Sequence, residues 1–343
     1  MFKRHILATA VAAALSVASG VAVAQSTPEE SLSAIIDKVN DALEAQKAEV
    51  RLLSAEVMSR GRSGHHHRKM HWRKATFKRM DAEFVPFDTR RPWSGPSDGK
   101  VDDITFAIDQ TDAVPSKGGL TAAQTTGAIR RAMAKWDSVR CSGLVLREVP
   151  ADSSAGVVAW VLAGMPGGAP RIQADILHAG FRLSGWSALP KVVGIMVHDD
   201  IIAATFTFVG TDGNGNIVDL DNNDKADIGF QEIYYNADKT WKIDGRGRRG
   251  DDDDGDRRGR NRGHGDRDSE EAYDVETVAL HEAGHALSLE HYGTVVARSN
   301  GRMDAKPEAV MNPVYTGTLQ HLTKADVAAH CMGGWKTWPK PNN

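Results

Sequence analysis

The chain has 343 residues, a formal net charge of −3, 41% hydrophobic residues and two cysteines. Its length suits one large domain with appendages, or two domains. The near-neutral charge argues against nucleic acid as the main partner.

Lys3, Arg4 and His5 precede an apolar run from Ile6 to Ala24, and the small residues Ala22 and Ala24 stand just before Gln25. A basic start, a short apolar middle and a small-x-small end read as a secretory signal peptide over 1–24. The expected mature chain starts at Gln25 and works outside the cytoplasm. No later stretch is apolar enough to span a bilayer. From Pro28 to Arg60 the Ala, Glu and Leu content, with Ile35, Val39, Leu43 and Val50 at helical spacing, predicts one helical N-terminal segment. Arg60 to Arg79 holds eight Lys or Arg, no acid, and His65, His66, His67 and His71. It reads as a solvated basic linker, a pro-segment, or an electrostatic contact for an anionic surface such as lipopolysaccharide or cell wall. A histidine from this run could also cap a metal site in a latent form.

Pro92, Gly95, Pro96 and Gly99 mark the entry to the main domain, taken as 100–338. Ile104–Ile108 alternates as a strand. Thr121 and Gln124 have capping-box spacing before a helix with Ile129, Met133 and Trp136 on one side. Strands are expected at Leu144–Val149, Val157–Leu162, Val192–Val197 and Ile201–Val209. Asp212, Asn214, Asp219, Asp221, Asn223 and Asp227 are hard oxygen donors that could wrap a structural calcium ion, although the spacing is not that of an EF-hand loop. Ala226–Tyr235 reads as a further strand. Asp244 to Asp268 carries eight acids, eight Arg and seven Gly and no apolar side chain, so it is expected to stay outside the core. A last helix starts at Thr323, with Asp326 at its capping-box position. His178, His198, His321 and His330 read as structural or solvent-facing, and Trp136, Trp160 and Trp241 as core. Cys141 and Cys331 can form a disulfide worth on the order of 4 kcal/mol; two buried thiols are the alternative.

The chemistry concentrates in Val275–Tyr292, VETVALHEAGHALSLEHY. On a helix capped by Asp274, His281 and His285 lie four apart and can aim two imidazoles at one metal. Glu282 sits one step round, able to reach a metal-bound water without being a ligand. His291 is too far along the same helix to be a third ligand unless the chain turns near Ser288. Three histidines with an open fourth position suit a catalytic zinc.

HEAGHALSLEH together with AVMNPVY resembles the metzincin metallopeptidases, and among them the matrixins, specifically secreted bacterial matrixin-like proteins. The resemblance implies an α+β zincin-like domain: a mixed twisted sheet, an active-site helix and a C-terminal helix. It implies His281, His285 and His291 as zinc ligands, Glu282 as general base and Met311 in a turn beneath the site. Pro313 and Tyr315 are implied as the wall of a substrate pocket, and Ile201–Val209 as the edge strand along which a peptide substrate lies antiparallel. Three departures stand out. Ser288 replaces the usual glycine at the turn. The loop 293–308 is long. Thr205 stands where a histidine of a second zinc site is expected. No cysteine lies in 25–99, so latency by a cysteine ligand is ruled out. The resemblance implies a secreted zinc endopeptidase acting on proteins or peptides. A catalytically weak surface-binding protein with structural zinc is the second reading, and a zincin with Glu308 as third ligand a minor third.

Overall fold

The computed structural model describes residues 28–60, 79–91, 103–111, 113–151, 156–165, 169–182, 200–244, 272–297, 303–332, 335 and 338. The signal-peptide, basic-linker and charged-insertion readings, and the strand expected at 192–197, fall outside these residues. None of the described helices is long and apolar enough to cross a membrane.

In chain order the elements are α1 (Pro28–Ala45), β1 (Val50–Arg60), β2 (Ala82–Glu83), β3 (Ile104–Ile108), α2 (Ala122–Asp137), β4 (Leu146–Glu148), α3 (Val157–Leu162), β5 (Ile176–His178), β6 (Ile201–Gly210), β7 (Ala226–Tyr235), β8 (Trp241–Lys242), β9 (Tyr273–Asp274), α4 (Val275–Ala286), β10 (Thr294–Ala297), β11 (Met303–Lys306), β12 (Val314–Tyr315) and α5 (Lys324–Met332). The main sheet runs β12-β1-β6-β7-β5-β3-β4, with β2 beside β7. β3, β4, β5 and β7 are parallel, whereas β6 runs antiparallel to β7 and to β1. This is the expected α+β class with a mixed sheet.

Side-chain alternation along β6 and β7 sorts the core into two layers. Ala203, Ile233 and Tyr235 join the layer built with α2 and α4, where Trp136, Val278 and Ala283 lie. Ala204, Phe206, Phe208, Phe230 and Tyr234 point the other way, onto α1 and α3. α2 starts at the expected capping box: Gln124 N–H donates to Thr121 Oγ1, and the Gln124 side chain answers the Thr121 backbone.

Two elements differ from expectation. The single helix expected over 28–60 stops at Ala45. Lys47 takes φ +53°, its N–H donates to Glu44 O, and Ala48 N–H donates to Leu43 O. That pattern closes a helix on a left-handed residue, a place glycine usually fills. The following residues become β1, because pairing with β6 satisfies a whole row of backbone groups and outweighs a weak helical propensity. The second difference is 157–162, expected as a strand and found as α3. An unbroken apolar run does not distinguish the two. The buried Glu232 decides it by accepting from the free N–H groups of Val157 (2.6 Å) and Val158 (3.1 Å).

Cys141 and Cys331 are joined as a disulfide with Cα atoms 5.7 Å apart, tying α5 to the segment after α2. Native protein should therefore show no alkylatable thiol, and two after reduction, in a mass measurement.

His178 is structural, as expected. It is fully buried on β5, with Nδ1 2.9 Å from the Tyr235 hydroxyl. Burial pushes its pKa from 6.5 down to about 3. The unfolded chain therefore takes up this proton at a pH where the folded chain refuses it. Stability is whole above pH 6.5 and falls as the pH drops towards 3, by up to about 1.4 kcal/mol per unit from this group. Urea unfolding of His178→Gln between pH 6 and 4 should show a shallower loss of stability than wild type. An unchanged slope counts against this assignment.

Candidate metal centre

α4 is held at both ends. Asp274 caps its start, accepting from Thr277 N–H (2.8 Å) and Thr277 Oγ1 (2.7 Å). Arg131 and Lys135 of α2 pair with Glu276 in its first turn, and the Trp136 indole donates to Leu280 O at 2.9 Å. At its end, Ser288 takes φ +65°, its N–H donates to His285 O, and Leu289 N–H donates to Gly284 O. The turn expected near Ser288 is thus the same left-handed closure that ends α1, here made by serine. It swings His291 back over the helix.

The result is three imidazole Nε2 atoms separated by 3.1 Å (His281–His285), 3.1 Å (His281–His291) and 3.0 Å (His285–His291). The other ring nitrogens fix the tautomers. His281 Nδ1 lies 2.7 Å from Val310 O and His285 Nδ1 2.7 Å from Leu289 O. A carbonyl can only accept, so both Nδ1 atoms carry the proton and both Nε2 atoms present bare lone pairs. Lone pairs converging at this distance repel unless a cation lies among them. The separations are near the roughly 3.3 Å edge of a tetrahedron with zinc–nitrogen bonds of about 2.0–2.1 Å. Burial lowers the pKa of all three rings, His281 to about 4, which keeps them neutral and able to ligate. The donor set therefore fits zinc.

Residues 210–330 match the Matrixin family model of peptidase family M10. Over these residues the chain is matrixin-like. The match spans β7, α4, the three histidines, Met311 and most of α5. No curated protein matches the chain.

In this matrixin-like site Glu282 is fully buried beside the triad. The Thr205 hydroxyl of β6 donates to its Oε2 at 2.7 Å, while Oε1 has no hydrogen-bond partner. Burial raises the Glu282 pKa to about 8; Thr205 and the nearby Met58 N–H pull it down, and the Glu56 carboxylate pushes it up. The Thr205 contact is not legible in the sequence, since 77 residues separate the partners.

Met311 is fully buried under α4, where a Cβ on Gly284 would collide with the Met311 sulfur and come within 3.1 Å of Trp136. Only glycine between the two helical histidines admits that packing. The turn carrying Met311 is organised by Asp326, which sequence reading places only as a helix cap. It does cap α5, accepting from Thr323 N–H (2.8 Å), but it also accepts from Val310 N–H (3.1 Å), Met311 N–H (3.2 Å) and the Tyr292 hydroxyl. Asn312 adds a second clamp, donating to Tyr292 O at 2.8 Å. The long loop 293–308 contains the β10–β11 hairpin. Glu308, the minor alternative ligand, is exposed, and His291 stands in the third position instead.

Ser288 is buried with its hydroxyl unpartnered and its backbone left-handed. Ser288→Gly should raise stability by about 1 kcal/mol, read as a higher melting temperature. A lower one would show that the hydroxyl matters to the turn.

The expected calcium ligands divide. Asp212 closes its own turn with Asn214 and Asn216. Asp219, Asp221 and Asp227 bring carboxylate oxygens within 4.8 Å of one another. Asn223 bonds Asp221 and Glu83, and the Asp227 carboxylate is already met by Arg90 (2.7 Å) and Leu220 N–H (3.0 Å).

The edge reading of β6 needs correction. Its outer side is paired along its length by β1, from Val50↔Gly210 to Ser59↔Ile201. Pro313 and Tyr315, expected as the wall of a substrate pocket, follow Met311 in the chain, and the Tyr315 hydroxyl accepts from Asp274 N–H at the start of α4 (3.1 Å). They too touch β1: Ser59 N–H donates to Pro313 O at 3.2 Å, and Arg60 pairs with Tyr315.

Proposed function

We propose that this protein is a secreted zinc-dependent endopeptidase. The observation that carries the reading is the fixed tautomers of His281 and His285, with His291 brought to 3.0–3.1 Å of both and the Glu282 carboxylate buried beside them. His281, His285 and His291 hold the metal. Zinc bound there supplies a water acidic enough to attack at neutral pH and an electrophile for the scissile carbonyl.

The chain's own residues do the rest. Glu282 accepts the proton of the attacking water and delivers it to the leaving amine. Burial makes it a strong base, and its pKa falls beside a bound dication, to a range where it can both take and return a proton. Thr205 holds one carboxylate oxygen and leaves the other to the water. Met311, Gly284 and Asp326 keep the floor of the site rigid, so the three rings hold their spacing when the metal binds. The export part of the reading rests on Lys3–Ala24, and the substrate class on the matrixin match.

The test is hydrolysis of casein by the full chain, treated with 1,10-phenanthroline and then resupplied with zinc. Loss with the chelator and recovery with zinc are expected. Hydrolysis indifferent to the chelator would overturn the reading.

A further inference from the structure

The acidic loop between β6 and β7 lacks the make-up of a calcium site. Calcium takes about six to eight oxygen ligands. Among the described acids of this loop, only Asp219, Asp221 and Asp227 bring carboxylate oxygens together. The other expected donors are engaged within the loop. Asp212 accepts from the Asn214 and Asn216 N–H groups. The Asn223 side chain donates to Glu83 and Asp221 and accepts from Lys225 N–H at 3.0 Å. Even Asp219 accepts from Asn223 N–H (3.1 Å) and Asp224 N–H (2.9 Å).

A cation is nevertheless present, and it is a side chain. Arg90 Nη2 donates to Asp227 Oδ2 and to Asp88 Oδ2, each at 2.7 Å, while its Nε donates to Asp88 Oδ1 at 2.9 Å. Asp88 and Asp227 are only 4% and 1% exposed, so the guanidinium lies between two buried carboxylates. Gly210, the last residue of β6, makes room for it: a Cβ there would come within 2.8 Å of Arg90 Nη1. Burial works against the Asp88 charge, but the bonds from Arg90 outweigh it and hold the Asp88 pKa below its ordinary value. The segment that carries Arg90 is tied to the same strand, since β2 pairs with β7 and places Glu83 opposite Asp227. Glu83 in turn meets Lys225 (3.0 Å) and Arg79.

Two buried carboxylates this close need a positive charge between them, and the planar fork of an arginine matches paired carboxylate oxygens. We propose that the Arg90 guanidinium is the built-in counter-cation of this loop, standing where a calcium ion would otherwise join segment 79–91 to the start of β7, and that the protein needs no calcium to hold this region. The expected calcium is replaced by a charge the chain carries itself. Without Arg90, Asp88 and Asp227 are left facing each other with Asp219 and Asp221 beside Asp227. A divalent cation of calcium's size then becomes the means of offsetting them. The inference concerns stability and not hydrolysis, so it stands or falls apart from the endopeptidase reading.

The test is thermal unfolding of the full zinc-loaded chain, without divalent salt and with about 10 mM calcium or magnesium chloride. Calcium should move the wild-type melting temperature no more than magnesium does, by less than about 1 °C. Arg90→Ala should melt about 5–10 °C lower in the absence of calcium, because it strands two buried charges. Calcium, and not magnesium, should return about 3–5 °C of that loss, the gain for a site of roughly millimolar affinity. Adding Asp227→Asn to Arg90→Ala removes one stranded charge, so the double variant should melt above Arg90→Ala and ignore calcium. Arg90→Lys keeps a point charge without the fork; it should lie between, with a smaller response to calcium, and it keeps the series readable if Arg90→Ala does not fold. Two results would overturn the inference. If calcium raises wild type by several degrees, a metal binds beside Arg90 and the guanidinium has not taken its place. If the Arg90 variants lose stability that calcium does not return, Arg90 forms an ordinary ion pair and stands in for no metal.

Discussion

Glu282→Gln is expected to bind zinc as wild type does and to lose hydrolysis by about 10²–10⁴-fold. The substitution keeps the size and the Thr205 hydrogen-bonding position but removes the basic oxygen. The carboxylate makes no bond to any of the three histidines, so their spacing should survive. Burial also predicts a stability gain at neutral pH. The carboxyl's pKa is raised to about 8 from an ordinary 4.5, so keeping it ionised in the folded, metal-free chain costs free energy. An amide carries no such cost. Zinc content, kcat and melting temperature measured on one preparation separate these effects. A variant that cleaves casein at the wild-type rate would remove Glu282 from the chemistry.

Asp326→Ala is expected to be the most destabilising single change near the site, by about 3–4 kcal/mol. The carboxylate is completely buried and accepts from Val310, Met311 and Thr323 N–H groups, the Thr323 hydroxyl and the Tyr292 hydroxyl. Removing it leaves several buried donors without acceptors in the turn that supplies Val310 O to His281. The loss should therefore appear twice, as a lower urea midpoint and as weaker zinc retention. Asp326→Asn keeps the shape and some acceptors and should lie between. Unchanged zinc retention in a destabilised Asp326→Ala chain would confine the residue to capping α5.

These cases show where the sequence is legible. Three histidines and a glutamate within eleven residues declare their chemistry because a helix and one turn suffice to assemble them. The caps at Thr121, Asp274 and Thr323 are equally local, and β6 and β7 follow their β-branched and aromatic content. Thr205 and Asp326 act on partners brought near only by the sheet and the last helix, and no spacing rule reports such pairs. The end of α1 is hidden for a different reason. Lys47 and Ser288 close their helices in the same left-handed way, and neither is a glycine. At Ser288 the third histidine demands a turn. At Lys47 nothing does, so Leu, Ala and Glu beyond it read as more helix and β1 goes unseen. α3 shows the converse: its apolar run fits a strand, and only Glu232, some seventy residues away, makes it a helix.

The most direct measurement is casein hydrolysis during titration of the metal-stripped chain with zinc, run on wild type and Glu282→Gln. The rate should rise up to one equivalent per chain and stay flat beyond it, with no rise in Glu282→Gln. One equivalent of zinc bound with no hydrolysis by wild type would contradict the account and leave the three histidines as a structural metal site.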